Sequence, residues 1–276
     1  LCLSEGADTK LFSAYGEELT ALRSSSGVTL RGAGPIGTYH VDRDDGPSIR
    51  TTAELDGAVA DAELIFLTGP VHKQRTYSMV LADHLKDGQV LVVAPGRSLG
   101  ALETAWLLRI GGCTADVTIV EAQGLPYWYD EAGSILTLSQ AASMPAATLP
   151  SGRSETLSAL KKYFPNLVMF DSVLASGFSD GSALVEVPTL MMGGAALQSG
   201  AISIPMGGKI LEENRTFASL IGPSQKAVIS KLTEERHMVA KSFGIRNLLS
   251  PAEMIDTYGG SLRGDYSRPI PSQKMS

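Results

Sequence analysis

The chain has 276 residues, with 23 Lys and Arg against 29 Asp and Glu, a net charge of −6 at neutral pH; 43% of residues are hydrophobic and 19% charged. This composition excludes disorder and supports a sizeable core. With no cationic surplus to neutralise phosphates, nucleic acid is not an expected partner. Two cysteines, Cys2 and Cys113, are too few for a disulfide framework, so a reducing, cytoplasmic setting is expected; the scattered His40, His72, His84 and His237 offer no metal-ligand spacing, and no metal is expected.

The chain begins with a short strand over residues 9–13 and a helix over 16–23. Residues 28–31 and 38–41 read as a hairpin around Gly32-Ala33-Gly34-Pro35. Thr52 is expected to cap a helix over 53–60. The apolar run 63–67 reads as a strand, followed by Thr68-Gly69-Pro70 and an amphipathic helix to Leu85. A strand over 90–94 leads through Pro95-Gly96-Arg97 into a helix over 99–110, and 117–120 is a further strand. Apolar strands alternating with helices indicate a parallel sheet covered on both faces. Composition shifts after Tyr129; residues 134–138 and 166–170 are candidate later strands with a helix over 154–163 between them. Past Asp171 the patterns are helical, at 180–197, 223–243 and 251–258. The expected organisation is an α/β domain over 1–171 and an all-helical domain over 172–276.

Two features of the chain could mislead. Residues 183–208 approach bilayer length with Glu186 as their one charge, but Pro188, Pro205 and two Gly-Gly pairs interrupt them, so a buried helix and turn, not a membrane span, is expected. No basic segment followed by an apolar run stands at the start, and no signal peptide is expected.

Ligands of open parallel sheets bind outside the carboxyl ends of the strands. That rule selects the turns around Gly69 and Pro70, around Pro95, Gly96 and Arg97, and around Glu121 and Gln123. His72 stands at a helix start, placed to donate a hydrogen bond or to act as a surface cap. Arg97 suits a carboxylate or phosphate, or is a solvated loop arginine. Glu121 and Gln123 end an apolar strand and are expected to line a substrate cleft. Tyr127, Trp128 and Tyr129 are expected to cluster in one loop, either walling a pocket or covering the core. Glu186 is either a buried acid/base group or a solvent-facing charge. Ser13 ends the second strand of a nucleotide-binding unit, where its hydroxyl could meet a 2′-phosphate while Tyr15 covers a base. Glu234 to His237 read as a solvated helix face. Gly32 to Gly37 fits Gly-x-Gly-x-x-Gly only in letters, since it lies between hairpin strands.

Leu85-Lys86-Asp87-Gly88-Gln89-Val90, Pro95-Gly96-Arg97-Ser98-Leu99-Gly100 and Glu121-Ala122-Gln123-Gly124-Leu125-Pro126-Tyr127 together resemble the opine (octopine/nopaline) dehydrogenase family. Pro188 to Gly194 and Glu234 to Ala240 resemble stretches of its helical domain. The resemblance implies a Rossmann-type, mostly parallel sheet binding NAD or NADP, followed by the helical substrate domain, a plan shared with ketopantoate reductases. With the strand-end reading, the expected cofactor contacts are Ser13, Gly69, Pro70, Pro95, Gly96 and Arg97, and the expected substrate contacts are Glu121, Gln123 and Tyr127. The implied reaction is reductive condensation of an amino acid with a 2-oxo acid. The alternatives are a reductase of another small 2-oxo acid and a non-catalytic nucleotide-binding relative. Two departures stand out. The family's Gly-rich first strand and turn and its C-terminal part are missing, so a fragment with weak dinucleotide binding and an open sheet edge is expected. The family's catalytic histidine position is Val185, which leaves Glu186 or His72 to manage the proton. A helix break just before Pro188 is expected to turn Glu186 toward the cleft.

Overall fold

The computed structural model describes residues 1–69, 71–140, 144–192, 221–246, 248–252 and 254. Eleven strands are formed among them: β1 Thr9–Phe12, β2 Gly27–Gly32, β3 Gly37–His40, β4 Ile49–Thr52, β5 Leu64–Thr68, β6 Val90–Ala94, β7 Thr118–Ala122, β8 Tyr127–Ala132, β9 Ile135–Gln140, β10 Met144–Leu149 and β11 Leu167–Met169. The helices are α1 Gly16–Ser24, α2 Leu55–Val59, α3 Val71–Leu81, α4 Gly100–Ile110, α5 Ser154–Leu160, α6 Val173–Gly177, α7 Val187–Met192 and α8 Pro223–Ser242. A π-helical turn, Ser182–Glu186, leads into α7.

The central sheet has the order β11-β10-β7-β6-β5. β5, β6 and β7 run parallel, with Thr68 beside Ala94 and Val93 beside Glu121, so their carboxyl ends form one edge, as the repeated strand-then-turn pattern requires. β10 is antiparallel to β7 and parallel to β11. The sequence Val-Leu-Val-Val-Ala makes β6 the spine. Its side chains alternate faces: Leu91 and Val93 join a core with Leu81, Ala101 and Leu108, whereas Val92 and Ala94 join one with Leu157, Leu160 and Phe164. A strand sealed on both faces has no use for polar residues, and each large apolar side chain buried contributes about 1.5–3 kcal/mol.

Several elements differ from the sequence reading. β4 and β10 were not expected. β10 reads Met-Pro-Ala-Ala-Thr-Leu, poor in strand formers, and is stabilised by pairing with β7. Tyr127 to Tyr129 are not a loop but part of β8, which pairs with β9 in a separate sheet of order β3-β2-β9-β8. Residues 135–140 therefore belong to this sheet rather than to the central one. The Gly32–Pro35 turn does join an antiparallel hairpin. Thr52 does not cap α2. Its Oγ1 accepts from the Glu54 N–H in a turn ahead of the helix, and Glu54 is the N-cap residue. Among the described residues β1 pairs with β4 alone, and β5 pairs on one side only.

A third small core, Leu184, Val185, Ile229 and Met254, holds the helical part together. The helix expected over 180–197 is resolved into the π turn and α7; residues 193–197, and 253 and 255–258 of the last predicted helix, lie outside the described residues. No helix among the described residues is long and apolar enough to cross a membrane.

Candidate active site

At the shared edge, each turn needs an unusual backbone. Gly69 leaves β5 at φ +106°, where a side chain is strained. After β6, Gly96 passes so close to β7 that a Cβ would lie 2.4 Å from Glu121 Cγ, so only glycine fits without rearrangement. Arg97 and Leu99 then take left-handed conformations, at φ 52° and 65°, to swing the chain into α4.

The turn after β6 borders a cavity of about 450 Å³ that runs from α3 and α4 to the π turn. Its charged lining comprises Arg75, Arg97, Glu103, Asp180 and Glu186. Arg75 pairs with Glu103 at 2.7 Å, and the Ser98 hydroxyl donates to Asp180 Oδ2 at 2.7 Å, tying the turn after β6 to the segment after α6. Glu186 is 3% exposed and borders this cavity as the last residue of the π turn, so its carboxylate is not in bulk solvent; the helix widens into that turn and continues through Pro188 in α7 rather than breaking before it.

Glu121 and Gln123 are sealed beneath the turn rather than lining the cavity, which corrects the sequence reading. β7 is covered on both faces, so a polar residue near its end is enclosed as soon as α6 packs there. Glu121 Oε1 accepts from Ser176 Oγ at 2.6 Å and from Gln123 Nε2 at 3.0 Å, and its Oε2 accepts from the Ala101 N–H at 3.0 Å. Gln123 Nε2 also donates to the Arg97 carbonyl at 2.9 Å, while its Oε1 has no partner among the described residues. Burial pushes the Glu121 carboxyl up to about 7, aided by the Asp180 charge and opposed by the hydrogen bonds it receives.

Other expected residues are dispersed. His72 is exposed in the first turn of α3 and does not line the cavity, because the inward face of that helix falls on Gln74, Ser78 and Leu81. Tyr127 lies in β8, its ring over Gly34 and away from the cavity, because pairing with β9 draws it into the separate sheet. Ser13 is buried at 9% exposure and its hydroxyl donates to Glu18 Oε2 at 2.6 Å, so a carboxylate accompanies it where an incoming phosphate was envisaged. Tyr15 has the Lys73 ammonium 4.7 Å from its ring centroid. The Pro95 carbonyl accepts from Gln74, and Pro70 lies outside the described residues. Gln74, Ser176 and Asp180 were missed. Gln74 was accessible to helical periodicity, as a polar residue on the stripe 74, 78, 81. Among the described residues no group of three His, Cys, Asp or Glu side chains is placed to hold a metal.

No family model matches the chain. An opine dehydrogenase of Arthrobacter sp. (strain 1C) is 24% identical over 249 residues, which cover 89% of this chain and 64% of that protein. Octopine dehydrogenase solved with NADH and L-arginine superposes with a TM-score of 0.60 at 17% identity, over 86% of this chain and 58% of its own. The same enzyme with NADH and agmatine gives 0.62 at 16% identity, over 94% and 66%. The chain thus spans less than two thirds of the length of each. In sequence similarity and in fold, the chain is opine dehydrogenase-like.

Proposed function

We propose that this chain is the greater part of an NAD(H)-dependent oxidoreductase that condenses an amino acid with a 2-oxo acid. Residues 1–171 would hold the dinucleotide and residues 172–276 would close over the substrates. One observation carries the reading: a cavity at the carboxyl edge of β5 and β6, lined by both arginine and carboxylate side chains. Such a lining suits substrates that bring an amine and carboxylates together.

The residues at the edge fit a dinucleotide. Gly69, with open space where a side chain would stand, allows close backbone approach, and Arg97 suits an anionic group. At the end of β1 the Ser13–Glu18 pair presents a carboxylate, which accepts from ribose hydroxyls and repels a 2′-phosphate; this favours NAD(H) over NADP(H). Bound NADH supplies the hydride. The chain's own residues must handle the rest. In the condensation the amine nitrogen bonds to the carbonyl carbon and the carbonyl oxygen leaves as water, which requires protons delivered at that oxygen. The imine must then be held protonated for reduction to the secondary amine. Val185 is fully buried and has no proton to give, whereas Glu186 reaches the cavity and is the group assigned to that transfer. Arg97 orients a substrate or cofactor anion.

The test is NADH oxidation by the full-length protein with a 2-oxo acid, with and without amino acids. Oxidation only with both is expected. Oxidation with the oxo acid alone would convert the assignment to a simple 2-oxo acid reductase, and none with any pairing would mark a non-catalytic relative.

A further inference from the structure

Gln74 is 5% exposed, lies on the inward face of α3 and borders the cavity. Its Nε2 donates to two carbonyls on different turns, Gly69 O at 2.9 Å and Pro95 O at 3.2 Å. Carbonyls accept only, so both contacts must come from the NH₂ group and the amide orientation is determined by its partners. Both amide hydrogens are thereby used. The two ends of an amide diverge, so Oε1 points away from those carbonyls. Among the described residues no donor reaches Oε1, and it is not sealed from solvent. The open volume that Gln74 borders is the cavity.

We infer that Gln74 has two roles: it staples the turns after β5 and β6 to one another, and it offers Oε1 as a pre-oriented acceptor for an N–H donor of the bound ligand. This rests on the reading above, which supplies two such donors, the substrate amine or protonated imine and the carboxamide of the nicotinamide. The staple removes the freedom of the acceptor before the ligand arrives, which is what makes a single hydrogen bond selective.

The two roles separate by substitution in the full-length protein. In Gln74→Lys the ammonium still donates to both carbonyls but has nothing with which to accept; in Gln74→Met both functions are lost. Gln74→Met is expected to lower the melting temperature and to weaken ligand binding. Gln74→Lys is expected to melt within about 3 °C of the unaltered protein and to weaken one ligand by about 10–100-fold. If the donor is the amine, the loss falls on the KM of whichever amino acid supports turnover with pyruvate. If it is the carboxamide, the loss falls on the calorimetric Kd for NADH. Should Gln74→Lys fail to fold, the unaltered protein decides. For the carboxamide, it should bind 3-acetylpyridine adenine dinucleotide, which lacks the carboxamide N–H, about tenfold more weakly than NAD. For the amine, it should bind the N-trimethylated form of the amino acid similarly poorly. Gln74→Lys with KM and Kd both within twofold of normal, or no discrimination against either analogue, would overturn the acceptor role. No NADH binding by the unaltered protein would instead overturn the underlying reading, and this proposal with it.

Discussion

At the scale of single residues, Glu121 is the most consequential side chain in the sheet. A carboxyl that titrates near 4.5 in the unfolded chain is held protonated up to about 7 in the folded one. The folded state therefore keeps a proton that the unfolded state releases, and stability falls as pH rises through that window, by at most about 3 kcal/mol, then levels off. Glu121→Gln removes this titration. Denaturation of both proteins between pH 5 and 8 should show the variant gaining on the unaltered protein with rising pH; parallel stability curves would refute the assignment. Sequence reasoning placed Glu121 and Gln123 at the right strand end. It could not tell lining from burial, because the covering residues, Ser176 and the turn at Gly96, are remote in sequence from β7.

Secondary-structure elements redirect residues whose local sequence reads as surface. The exposed Glu234, Glu235 and His237 agree with a solvated face of α8, but Arg236 between them turns inward. Its Nη1 donates to the Phe178 carbonyl at 3.1 Å and its Nη2 to that of Leu249, and burial lowers its pKa from the usual arginine value. Arg236→Met keeps the aliphatic stem and removes those bonds, so a loss of about 3 kcal/mol is expected in denaturant unfolding. A change below about 0.5 kcal/mol would return Arg236 to the solvated face. The π turn acts on Glu186 in a comparable way. A regular α-helix places neighbours about 100° apart, and the wider turn ahead of Pro188 accompanies burial of both Val185 and Glu186. Glu186→Gln is expected to lower turnover by about 10²–10⁴-fold with little effect on the Kd for NADH. Unaltered turnover would exclude Glu186 from proton transfer.

At the scale of the whole molecule, polar contacts between remote segments join the sheet to the helical part. Ser98 and Asp180 are distant in sequence, yet their 2.7 Å hydrogen bond links the turn after β6 to the helical part. A hydrogen bond to a charged partner contributes about 1.5–3 kcal/mol. Ser98→Ala is therefore expected to raise amide hydrogen exchange on both sides at once, in residues 96–100 and 178–186. An increase confined to residues 96–100 would show that the two parts are coupled by other contacts.

The apolar runs 64–67 and 90–94, the turn residues that follow them and the loss of strand patterning after Asp171 were enough to specify a mostly parallel sheet, the edge at which its turns gather and the helical part. Those features are local: side-chain period and turn chemistry act over a few residues. Tertiary structure decided what depends on partners far along the chain. β10 is a strand because β7 accepts it, Tyr127 leaves the site because β8 pairs with β9, and Glu121 is buried because Gly96 lacks a side chain. Gln74 gains its role only once the turns after β5 and β6 lie side by side. Burial and hydrogen-bond partnership are properties of packed neighbours, and the neighbours of these residues are brought together only by the fold.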